Sequence, residues 1–422
     1  MKKILIIICS IFLLSLCSCS TKNTELSSGT WEESFNGNNL TYNAAYIVDG
    51  IDATLTGGEY ETLEGDNVVF LVINGGHLTI KDATIKKSGE PQLTGTSTYK
   101  DREDQLNMNM PGMPEPPKDE DGNPLPPPDG DMPTDENGNP MPPPDFESDQ
   151  YNFFGMNSAI LCKGKDSSIT IENCTIETDA KSSNAIFAID NGKINIKNSK
   201  LITHKDFSRG LFASYQGIVE AENVEITTEG EHCPGIATDI GGGEITTNKC
   251  TINTTGHLSP ITYSTGNITI NDSEGKAEDA EVAVIEGNNT VNLKNCNFTS
   301  NYVDSAFLCY QSTPGKNNDY VSKLNLENTN IKYTNSGTVI WVTNTTSEIT
   351  SKNSALNNTS NMLIRASRGK WGNQGKNFGT LTFNSYNNTY KGSVVTDEES
   401  KIIINANNSD LDFEKSGNIT IN

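Results

Sequence analysis

Nine polar residues close a series of short apolar runs along this chain: Lys163, Asp190, Tyr215, Asp239, Ser264, Glu286, Tyr310, Thr343 and Arg365. Asp190, Asp239 and Glu286 bring carboxylates, which accept hydrogen bonds from hydroxyl groups or hold Ca²⁺, a cation that takes oxygen ligands. Tyr215 and Tyr310 bring flat apolar faces with a polar rim, suited to stacking on another ring. The plainer account of the same pattern is that a strand end is where solvent begins, so polar residues belong there. His232 precedes Asp239 by seven residues and His257 precedes Ser264 by seven. The two rings are therefore expected on neighbouring levels of a repeating fold. Arg209 is the only Arg between residues 150 and 360. The candidate ligand-binding set is thus Asp190, Arg209, Tyr215, His232, Asp239, His257, Glu286 and Tyr310, with Asp190, Asp239 and Glu286 as candidate Ca²⁺ ligands. Asp190 and Asp239 are expected two levels apart, roughly 9.6 Å at the usual strand spacing, at the upper edge of the separation used for inverting glycoside hydrolysis. No Ser/His/Asp order, phosphate loop or zinc quartet accompanies them, and no catalytic set is assigned.

These residues need elements that repeat. A ten-residue shape, apolar-x-apolar-x-Asn-small-x-apolar-x-Thr, begins at Leu78, Ile169, Ile194, Val219, Ile245, Ile268, Val291, Leu324, Ile349 and Leu381, with a degenerate copy at Ile402. Most intervals are 23 to 26 residues, and two are about 32. Apolar–polar alternation marks a strand with one buried face. The fifth place holds Asp82, Asn173, Asn198, Asn223, Asp272, Asn295, Asn328 and Asn353. Asn and Asp tolerate the left-handed backbone region and so suit a sharp bend between two strands. A second apolar run precedes each copy, as in NAIFAID and SAFLCY. Two or three strands per period with no helical pattern predict an all-β, right-handed parallel β-helix of about 25 residues per coil.

Net charge is −23, from 54 acidic and 31 basic residues, which argues against nucleic acid as a partner. Six cysteines follow the leader, and Cys174, Cys250 and Cys296 stand at the sixth place, where other copies carry Ser, Thr or Val. That pattern reads as a small buried slot with free thiols. The chain opens MKKILIIICSIFLLSLCSCS, a basic head and a short apolar stretch of signal-peptide length. Its end resembles a bacterial lipobox with Cys19 as the lipidated residue. The expected organisation is a signal peptide at 1–18, a tether and N-terminal cap at 19–44, and the β-helix at 45–422. A Pro/Asp/Met-rich insertion at 106–149 interrupts it, because Pro fits neither a helix nor an inner strand. Localisation is expected to be extracytoplasmic, on a bacterial membrane and exposed at the surface, since more than one acyl chain suffices for stable anchoring.

The stretches GEHCPGIATDIGGGEIT (230–246), SPITYSTGNITI (259–270), VAVIEGNNTVNL (282–293) and IWVTNTT (340–346) resemble bacterial surface β-helix lipoproteins of the adhesin-like, carbohydrate-binding-domain kind. The plan is also similar to pectate-lyase-like β-helices that bind acidic polysaccharide with Ca²⁺. The resemblance spans about 45–422. It implies a surface protein that binds a polysaccharide or a host or bacterial surface glycan, with Ca²⁺ as its one implied cofactor, and it implies no catalytic set. This chain departs from that family's pattern at Phe212, where an acid is usual, and at Gln216, where Gly is usual. A polysaccharide lyase or hydrolase and a structural spacer are the alternatives. The scarcity of Arg near the carboxylates weighs against lyase chemistry, which gathers several cations around a uronate.

Overall fold

A computed structural model of the chain describes residues 23–92, 149–311, 321–369 and 378–422. Cys19, the leader and positions 106–148 of the insertion lie outside the described residues. The fold is a parallel β-helix of about 12 turns, with about 25 residues per turn. Among the described residues the only helix longer than one turn is Asp149–Phe154, and no helix is long and apolar enough to cross a membrane.

Each coil follows one course. A strand such as Ile186–Ile189 joins a 14-stranded sheet. A tight turn leads into a longer strand such as Lys193–Thr203 in a second sheet, which bends in its middle. The bend is the fifth place of the repeat. Asp82, Asn173, Asn198, Asn223, Lys249, Asp272, Asn295, Asn328, Asn353, Asn387 and Asn408 all sit there with φ between +48° and +55°, the region that Asn and Asp adopt at least cost. Stacking places their side chains one above another. The amide of Asn173 donates to Asp82 Oδ1 (3.0 Å), Asn223 to Asn198 (2.8 Å) and Asn295 to Asp272 (2.8 Å). Asn328, Asn353, Asn387 and Asn408 continue the series, each donating to the bend residue of the coil before it at 2.8–3.2 Å. Lys249 interrupts this ladder.

The sixth place is the expected small slot, and it has a second requirement. Ser199 Oγ accepts from the Cys174 amide (3.0 Å), Ser273 Oγ from the Cys250 amide (2.9 Å) and Ser354 Oγ from the Thr329 amide (3.0 Å). The side chain there thus satisfies a buried amide of the preceding coil, which would otherwise cost a lost hydrogen bond. All six described cysteines are free and buried. Burial pushes the thiols of Cys162 and Cys309 up to about 12 and that of Cys296 to about 11.

Two register readings need correction. The structure pairs Ile349 with Phe383 and Phe383 with Ile404. The last two copies therefore begin at Phe383 and Ile404, two residues later than Leu381 and Ile402. A slip of two leaves the alternation intact, and only the bend column exposes it.

The core runs along the axis, filled by stacked Ile, Val, Leu and Ala. At the N-terminal end, Gly29–Phe35 pairs antiparallel with Asn38–Ala44, while the rest of that strand, through Asp49, pairs with the next coil. A second apolar cluster lies outside the first sheet. There Tyr151, Phe154 and Met156 cover Leu71, Leu161, Phe187 and Phe212, with Trp31 and Phe35 packed against them.

Candidate functional site

Side chains of a strand alternate between faces, so the register decides which residues share the outside of the first sheet. Ile189 pairs with Lys163 and with Ser214. Glu286 pairs with Tyr310, and Tyr310 with Thr343. Between these, Ala237 pairs with Tyr263 and Ser264 with Ile285, which carries the file through Asp239 and Thr265. The outward file is therefore Lys163, Ile189, Ser214, Asp239, Thr265, Glu286, Tyr310, Thr343. It keeps Asp239, Glu286 and Tyr310 together. Asp190 and Tyr215 stand one residue further on, already in the turn, with φ +53° and +44°. Ser264 stands one residue earlier and is fully buried, while Arg365 pairs with Trp341 in the parallel file. Coils of unequal length, 25 residues in one place and 23 in another, shift the strand ends against each other.

Glu286 is the centre of the site. Its Oε2 accepts from the Tyr263 hydroxyl and from the Tyr310 hydroxyl (3.1 Å), and the two phenol oxygens lie 3.2 Å apart. Burial lifts both phenols well above their ordinary value, and the charges of Glu286 and Asp239 push them further. Both rings therefore stay protonated donors across the physiological range. Below them Val284, Leu308 and Trp341 form a small apolar cluster, and the Arg365 guanidinium lies 4.8 Å from the Trp341 ring. Tyr263 was not legible in the sequence as a site residue, because the strand-end count selected its neighbour Ser264.

A groove of about 420 Å³ borders the file. It runs over the turns that follow the first-sheet strands and is lined by amides (Asn191, Gln216, Asn267, Asn289), by Thr265 and Glu244, and by Gly241 and Gly242. Gln216 is held by its own bond to the Gly241 carbonyl (2.5 Å). Thr265 belongs to both file and groove, so the two form one surface.

The remaining expected residues are engaged elsewhere. The Tyr215 ring stacks on Phe154 (5.6 Å, 15°) and meets Phe35 edge-on (5.1 Å). Asp190 pairs with the buried Lys163 at 3.1 Å. Arg209 is 8% exposed, donates to the Phe207 carbonyl (2.7 Å) and lies over the Phe212 ring. Phe212 itself is buried in the outer cluster. His232 stacks on Phe207 (5.2 Å, 12°), while His257 Nδ1 meets Asp279 at 2.9 Å. Phe207, His232 and Leu258 share a positive-φ corner at +58°, +55° and +52°. Leu258, not His257, therefore follows His232 in file. Among the described residues no three His, Cys, Asp or Glu side chains gather where they could hold a metal ion. The geometry does not bring Asp190 to Asp239 and Glu286.

The chain matches no protein-family model and no curated protein.

Proposed function

We propose that this chain is a lipid-anchored bacterial surface protein that binds an extended, hydroxyl-rich polysaccharide along the file Asp239–Thr265–Glu286–Tyr310 and the groove beside it. The observation that carries this reading is the in-register alternation of carboxylate, hydroxyl and phenol groups on successive coils, about 4.8 Å apart by strand spacing. A polymer lying along the axis meets a hydrogen-bonding group at every step, and the amide-lined groove adds donors and acceptors of the same kind. Glu286, already held by two phenols, is fixed in place before ligand arrives, which lowers the ordering cost of binding. Repeated weak contacts make affinity rise with ligand length.

The test is calorimetric titration with neutral and acidic oligosaccharides of increasing length, with and without Ca²⁺. Glu286→Gln and Tyr310→Phe should each weaken binding about tenfold, the size of one lost hydrogen bond to a charged group. If both variants bind every glycan as the parent does, this face is not the site. Shortened chains among the products would favour a hydrolase or lyase instead.

A further inference from the structure

Lys163 is the only lysine of the outward file, and its surroundings differ from those of a surface ion pair. Its side chain is 1% exposed. Nζ lies 3.1 Å from Glu33 Oε1, 3.1 Å from Asp190 Oδ2 and 3.6 Å from the centre of the Phe35 ring. The three segments come from different places: Glu33 and Phe35 from the N-terminal cap strand, Lys163 from one coil, Asp190 from the next. Lys87, also 1% exposed, provides the contrast, since its Nζ donates to the backbone carbonyls of Glu64, Ser88 and Gly89. An amine held dry between two carboxyl groups is a reactive arrangement as well as an ion pair.

We infer that Lys163 and Glu33 condense to a side-chain amide in the folded protein, with Asp190 as the base. Nζ donates to Asp190 Oδ2, so that carboxylate takes a proton from the ammonium and leaves a neutral amine. The amine attacks Cδ of Glu33 in the fraction of molecules whose Glu33 carboxyl carries a proton. The tetrahedral adduct loses its hydroxyl as water, using the proton held by Asp190, and the remaining N–H proton passes to Asp190. Ammonium plus carboxylic acid gives amide, water and one proton. The half-buried Asp190, 35% exposed against 17% for Glu33, passes that proton to solvent.

Two physical terms favour the step. Groups held in contact in a fixed frame, as Nζ is at 3.1 Å from Glu33 Oε1, gain an effective concentration that reaches about 10⁵–10⁸ M in well-oriented cases, far above that of the water that would reverse the reaction. The buried charges also carry a desolvation cost that the neutral amide removes. Burial, the largest influence on Glu33, raises its carboxyl above the ordinary value despite the opposing Lys163 charge, and the Asp190 charge adds to the rise. A neutral carboxyl is the better electrophile. The link would tie the cap strand covalently to the coils it covers.

Mass spectrometry of the full-length folded protein tests the inference. The parent should be lighter than its Lys163→Arg variant by one water molecule more than the substitution accounts for. A digest of the denatured parent should contain one peptide pair joined between Glu33 and Lys163. Asp190→Asn should slow the appearance of the lighter form by roughly a hundredfold, the usual size of a lost general base. A parent of unmodified mass, or a link from Lys163 to Asp190 instead of Glu33, overturns it.

Discussion

Lys249 shows how much one residue can matter in a repeated fold. It occupies the bend column at φ +55°, where a residue other than Gly, Asn or Asp costs roughly 1–2 kcal/mol. It also interrupts the side-chain ladder between Asn223 and Asp272. Lys249→Asn should stabilise the protein by about 1 kcal/mol, read as a higher urea midpoint at unchanged slope; an unchanged midpoint would show that the long side chain is otherwise compensated. His204 sets a pH dependence. Its Nδ1 meets Glu229 at 2.8 Å and its Nε2 meets Glu177 at 2.9 Å, on the coils above and below. Burial, the largest influence, lowers its pKa, but the hydrogen bonds and charges of Glu229 and Glu177 together outweigh it and leave it raised from 6.5. The folded value stands above the unfolded one, so this stabilisation is whole below about 6.5 and disappears as pH rises through the folded value. His204→Gln should therefore lose more stability at pH 5.5 than at pH 8. Equal losses at the two pH values would mean that the pair of carboxylates does not hold the charged ring.

At the scale of the element, the turn between the two sheets governs the coil. Gly192, Gly217, Gly243 and Gly266 follow one another there, and a Cβ on Gly217 would lie 2.1 Å from the Ala188 carbonyl oxygen. That Cβ would meet backbone atoms, so neither side-chain repacking nor rotamer change relieves the contact. Gly217→Ala should cost about 1–3 kcal/mol, as overpacking does, and should widen the groove whose wall this turn forms. Thermal unfolding and oligosaccharide titration of the same variant separate the two effects. A fully stable variant would mean that neighbouring coils can move apart more easily than stacked hydrogen bonds permit.

The whole molecule is a stack in which each coil contacts its neighbours, so an open end is its weak point. The strand Gly29–Phe35 forms an antiparallel hairpin with Asn38–Ala44 near the N-terminal end, and the buried meeting of Glu33 with Lys163 fastens it to the coils. Attachment to a membrane is a separate matter, carried in our proposal by Cys19. Cys19→Ala should move the protein from the membrane pellet to the soluble fraction, because acyl chains supply the attachment. A variant that still sediments with membranes would place the anchor elsewhere.

Periodicity, composition and the Asn column were enough to determine the β-helix. They are local properties, repeated about a dozen times, and each copy reinforces the last. The free cysteines were legible for the same reason, since a position that accepts Cys, Ser, Thr and Val describes its own size. The site was legible only in part. Asp239, Glu286 and Tyr310 fell in one file as expected, but Asp190 and Tyr215 left it, Thr265 stands in it in place of Ser264, and Tyr263 reaches Glu286 from the parallel file. A single-residue offset turns a strand side chain to the other face, and coils of 23 to 26 residues accumulate such offsets at places no counting rule marks. The meeting of Glu33, Lys163 and Asp190 lay beyond the sequence altogether. Glu33 sits on a cap strand outside the repeat, so only the antiparallel docking of that strand on the folded coils decides which lysine it faces.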